Sequence, residues 1–150
     1  MNSWLIRILL AASCVAAGAG AADAADFVVI VNAANPSGTL DKADIRAHYL
    51  NVKPAWPDGA KVRPVDNPDD VAGRSLFVTK VLGMSVAEFE RLWIERQYAS
   101  GDGPPAKATD DASVIKLVEL FKGGIGFISK AALDKAGNAR VKVVLTLVVP

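Results

Sequence analysis

Cysteine and histidine are nearly absent: Cys14 and His48 each stand alone in a chain of 150 residues. One cysteine excludes a disulfide scaffold and a cysteine-rich zinc site, and a lone histidine provides no metal pair. No sign of charge dominates either. The 17 basic and 16 acidic side chains leave a net charge of +1 without a basic block, so nothing marks a nucleic-acid partner. A phosphate-cradling Walker loop, a dinucleotide fingerprint and a Gly-x-Ser-x-Gly nucleophile turn are all missing; Gly123-Gly124-Ile125-Gly126 lacks the required spacing. These absences leave no catalytic residue, metal-ligand set or cofactor to assign, and the chain reads as a non-enzyme. What is present is a 51% hydrophobic composition with a mean hydropathy of +0.27. That suffices for a buried core, in a length that suits one domain.

Residues 1–25 differ from the remainder. Arg7 is the only charge before Asp23, and Ile8 to Ala22 is an apolar, alanine-rich run ending in small residues. This is the pattern of a cleavable secretory signal peptide, too short and too rich in Gly and Ala for a membrane anchor. The expected mature domain is 26–150, without cysteine, in the periplasm and with no stable membrane insertion after cleavage.

In the mature chain, Phe27-Val28-Val29-Ile30-Val31 predicts a strand buried on both faces. Asp41 fits a helix N-cap, with Leu40 and Ile45 as a hydrophobic staple, and that helix should reach about Leu50. Lys61 to Val65 predicts a second strand. Asn67 as N-cap and Pro68 at the first helical position predict a second helix ending at Gly83. Ser85 and Glu88 form a capping box for a third helix with the apolar stripe Val86, Phe89 and Trp93. The Gly- and Pro-rich stretch from Ser100 to Lys107 reads as a loop. Thr109 is the expected cap of a fourth helix with the stripe Val114, Leu117, Val118 and Phe121. Short strands at 125–128 and 140–149 close the pattern, separated by a helical turn at 130–135.

Strands alternating with helices predict an α/β architecture with a mixed, mainly parallel sheet. Ligands of such sheets sit beyond the carboxyl ends of strands, which points to 32–38, 66–75 and 101–109. Asp66, Asp69 and Asp70 do not have EF-hand spacing and read as acidic residues at a helix start. His48 reads as a helix-face or partner-contact residue, and Trp93 as core. Arg63, Arg74, Arg91 and Arg96 are candidate anion ligands, since a guanidinium offers a bidentate fork.

In order along the chain, Val31-Asn32 to Asn35-Pro36, Trp56-Pro57-Asp58-Gly59, Pro64-Val65-Asp66, Arg74-Ser75-Leu76-Phe77, Gly103-Pro104-Pro105 and Gly124-Ile125-Gly126-Phe127-Ile128 resemble phosphate-binding proteins of ABC importers. The chain is similar to their short, single-lobe members. The resemblance implies one lobe of a type 2 periplasmic-binding-protein fold and a solute-binding role with phosphate or a related oxyanion as ligand. It also implies an ABC permease or other protein as partner. The ligand residues expected on this basis are Asn35, Ser37, Asn67, Arg74 and Ser75. Where the family carries a Gly-Ser-Gly-Thr type turn, this chain reads Asp66-Asn67-Pro68-Asp69-Asp70. That departure supports an alternative: a ligand-less interaction or sensory lobe that binds a protein partner or self-associates.

Overall fold

The computed structural model describes residues 26–69 and 71–149. The expected leader, residues 1–25, and Asp70 lie outside the described residues. Five strands form one sheet in the order β3-β2-β4-β1-β5. They are β1 (Phe27–Asn32), β2 (Arg63–Asp66), β3 (Ala106–Lys107), β4 (Gly124–Ser129) and β5 (Val141–Leu147). β2 runs parallel to both β3 and β4, whereas β1 runs antiparallel to both β4 and β5. Four strands therefore share one direction, and β1, lying between β4 and β5, opposes them all.

The alternation along β1 explains the layers, because successive side chains of a strand point to opposite faces. Val29 and Val31 join the core with α1 (Lys42–Tyr49), α2 (Ala72–Lys80) and α3 (Val86–Ser100). Val28 and Ile30 join the opposite core with Val114, Ile115 and Val118 of α4 (Asp111–Leu120). Phe27 to Val31 are buried throughout, as a central strand covered on both faces must be. α4 can approach β4 only because Gly126 has no side chain: a Cβ there would lie 2.5 Å from Val114. On the other face Phe77 stacks on Phe127 with ring centroids 3.9 Å apart. The Tyr49 hydroxyl meets the carbonyls of Val65 and Ile125 at 2.8 and 3.3 Å, tying α1 to β2 and β4.

Local signals set several boundaries. The Asp41 side chain accepts from the Asp44 N–H at 2.7 Å, and both halves of the Ser85–Glu88 capping box are formed. Two expected caps are displaced. α2 begins at Ala72 behind Val71, not at Pro68, because the Asn67 amide is committed elsewhere, donating to the Phe127 carbonyl at 2.7 Å. α4 is capped by Asp110, whose carboxylate accepts from the Ser113 N–H, while the Thr109 hydroxyl pairs with the Ser113 hydroxyl. The stretch expected as pure loop ends in β3, a two-residue edge strand paired with Val65 and Asp66. The helical turn after β4 is α5 (Lys130–Ala136), capped by Ser129. No helix among the described residues is long and apolar enough to cross a membrane.

Candidate functional site

The reversed direction of β1 divides the five candidate ligand residues between two ends of the sheet. Asn35 and Ser37 follow the carboxyl end of β1. The Asn35 carbonyl receives the Lys142 ammonium, and Lys142 pairs with Val31 at that same end. The Asn35 side chain is spent locally, accepting from the Ser37 N–H at 2.8 Å, and its buried Nδ2 has no partner. Asn67, Arg74 and Ser75 lie at the other end, where β2 and β4 finish and β1 begins. Gly73 packs directly against the Phe27 ring there, and Asn67 bonds to Phe127 of β4. Ser75 is exposed, whereas Asn67 and Arg74 are buried.

Arg74, on the first turn of α2, is 3% exposed and is the centre of a charged cluster. Its Nε donates to both oxygens of Asp66 at 3.1 and 3.0 Å. Its Nη1 lies 3.2 Å from Asp69 and 3.3 Å from Glu90 of α3. Lys107 of β3 pairs with Asp69 in turn. Burial pushes the Asp66 carboxyl above its ordinary range while the Arg74 guanidinium opposes that shift. The Lys107 ammonium, bonded to Asp69, holds that carboxyl below its ordinary range. Asp66, Arg74, Glu90 and Lys107 line a cavity of about 330 Å³ that has Phe89 and Trp93 of α3 as apolar walls.

The same layered sheet occurs in solved transport receptors. An ABC-type phosphate transport receptor from Vibrio cholerae matches 81% of this chain at 19% identity with a TM-score of 0.58. A Clostridium perfringens protein, assigned as a phosphate ABC transporter substrate-binding protein and solved with phosphate bound, matches 81% at 18% identity with a TM-score of 0.61. The chain spans about half their length, 47% and 46% respectively. The fold, a mixed sheet flanked by helices, is that of about half of each of these receptors. No family model matches the sequence, and no curated protein is significantly similar to it.

Among the described residues, three buried groups at the Arg74 end of this lobe have no partner: the oxygens Asn67 Oδ1 and Asp111 Oδ1, which accept, and the Trp93 indole N–H on the cavity wall, which donates. Asp111 spends its other oxygen on the N–H and hydroxyl of Ser129. The start of α4 is covered by Asp110, and that of α5 by Ser129. The start of α2 has no side-chain cap, which leaves it the open positive helix end in this part of the lobe. No group of three or more His, Cys, Asp or Glu among the described residues is placed to hold a metal ion.

The Trp56 turn is structural: the ring is buried and its Nε1 donates to the Gly123 carbonyl at 3.0 Å. His48 is also buried, 4.1 Å from the Trp56 ring centroid, with Nδ1 3.0 Å from the Lys53 carbonyl. Sequence reasoning missed Glu90 and Lys107 as members of the cluster. Both approach Arg74 through tertiary packing, and neither belongs to a local motif. Asp66 and Arg74, eight positions apart across a strand-to-helix junction, follow no helical or strand period that would pair them.

Proposed function

We propose that this chain is a periplasmic, non-enzymatic solute-binding protein, exported by its N-terminal leader, that takes phosphate or a related oxyanion at the Arg74 end of the lobe. The observation that carries this reading is the position of Arg74: a buried guanidinium at the carboxyl ends of the parallel strands, beside an uncapped helix start and a cavity also lined by Lys107. Asn67 and Ser75 flank it. Asn35 and Ser37, at the far end of the sheet, have no part in this binding. An ABC permease is the partner that fits such a role.

A second reading rests on the carboxylates. Asp66, Asp69 and Glu90 already surround Arg74, and two of the orphaned buried groups nearby, Asn67 Oδ1 and Asp111 Oδ1, accept rather than donate hydrogen bonds. A site of that composition repels an oxyanion and suits a lobe that serves as a docking module for a protein partner.

Isothermal titration of the phosphate-stripped mature protein against phosphate, sulfate and molybdate separates the two. A saturable isotherm at micromolar affinity that weakens in Arg74→Lys establishes the first. Absence of heat from all three anions, with circular dichroism showing a folded protein, rejects the first and leaves the docking module.

A further inference from the structure

A second cavity lies along the same edge of the sheet, toward the beginning of β2 and away from Asp66. It measures about 350 Å³, in the range of small-molecule sites. The Pro104-Pro105 strap lines both cavities, and so does Trp93. Val62, Leu117 and Phe121 give the second cavity apolar walls, and Lys61 and Arg63 line it as cations. The Arg63 guanidinium rests 4.8 Å above the Phe121 ring centroid. One carboxylate, Asp102, also lines it, and that carboxylate accepts from the Ser100 hydroxyl at 2.9 Å.

The Trp93 indole N–H is buried and has no acceptor. A buried donor left unpaired is a cost that native structures rarely carry without a reason. The Phe89 ring and the Arg96 guanidinium, 5.3 Å from the Trp93 ring centroid, offer it no acceptor, and no other group among the described residues is placed to accept from it. The strap above it carries Gly101 and Gly103 and is held to the sheet by the two residue pairs of β3. A ligand oxygen reaches the buried N–H only if this strap lifts by about the width of an oxygen atom.

We propose that this cavity is a binding site for a small organic carboxylate with an aromatic or branched apolar body. The body packs between Phe121, Leu117 and the proline strap. The carboxylate accepts the Trp93 N–H and meets the positive field of Lys61 and Arg63, which outnumber Asp102. Apolar walls with a few convergent polar groups are the usual composition of such sites. The site is separate from the oxyanion position at Arg74 and does not depend on it.

The test titrates the protein with 3-phenylpropionate and with the uncharged 3-phenylpropanol while following the Trp93 indole N–H in 1H–15N spectra. The expected result is a saturable shift of that one signal by the carboxylate, with the alcohol binding at least about tenfold more weakly. Trp93→Phe should weaken binding about tenfold by calorimetry. Should that variant not fold, Arg63→Ala, at an exposed position, should weaken it by roughly fivefold. No saturable shift at millimolar carboxylate, equal binding of the alcohol, or displacement by phosphate overturns the proposal. Unchanged affinity in Trp93→Phe or, where that variant does not fold, in Arg63→Ala also overturns it.

Discussion

Arg74 reaches back from the first turn of α2 to hold Asp66 at the end of β2 through its Nε, with N–O distances of 3.1 and 3.0 Å and both side chains buried. The pair fixes the angle at which the helix leaves the sheet. Because both charges are out of water, their value lies in each other: removing one leaves the other buried without compensation. Arg74→Met is expected to destabilise the protein by about 3 kcal/mol or more. The double variant Arg74→Met, Asp66→Leu should recover most of that loss, since a hydrophobic pair of similar volume carries no desolvation cost. Urea unfolding of wild type, single and double variants measures both; a double variant as unstable as the single one contradicts the argument.

His48 gives the protein a pH dependence near neutrality. Burial pushes its imidazole below the ordinary value of 6.5, and the Lys53 carbonyl, which accepts from a protonated Nδ1, opposes that shift only in part. A base whose folded pKa is depressed favours its neutral form in the native state. Its contribution is complete above pH 6.5 and is lost as the pH falls toward the folded value. Thermal melts should show the midpoint falling between pH 7 and about 5, with a shallower slope in His48→Gln. Identical slopes would assign the dependence to other groups. Asp44, Asp69 and Asp110 have depressed pKa values and act in a lower window, losing their stabilisation only as the pH drops through the carboxylate range.

Gly73 is the point of closest approach between α2 and β1. A Cβ there would fall 1.9 Å from the Phe27 ring. Gly73→Ala should cost about 2 kcal/mol or more, partly restored by Phe27→Leu in the same chain. Gly38→Ala, where nothing lies within 4 Å of the added carbon, should leave the melting temperature unchanged. Equal melting temperatures for the two alanine variants would contradict the packing of the α2–β1 contact.

The elements that were legible in the sequence are those fixed by contacts a few residues apart. Asp41 with Asp44, and Ser85 with Glu88, are pairs within one turn, so the chain displays them directly. The buried run Phe27 to Val31 is equally plain from composition. The α2 start was not legible, because the partner of Asn67 is Phe127, sixty positions away. The strand β3 is two residues of an edge whose pairing depends on β2. The direction of β1 is also a tertiary choice, since a run of β-branched residues serves either orientation. That direction decides the site: with β1 reversed, Asn35 and Ser37 leave the end that holds Arg74.

The placement of β1 also sets when the lobe can assemble. Among the described residues its neighbours are β4 and β5, at 124–129 and 141–147. β1 therefore stays bare along both edges until residues 124–147 are available to pair with it. Loop closure over such separations is slow, and without β4 neither β1 nor β2 has its neighbour in the centre of the sheet. The central strand of the lobe is thus the part whose pairing is decided last.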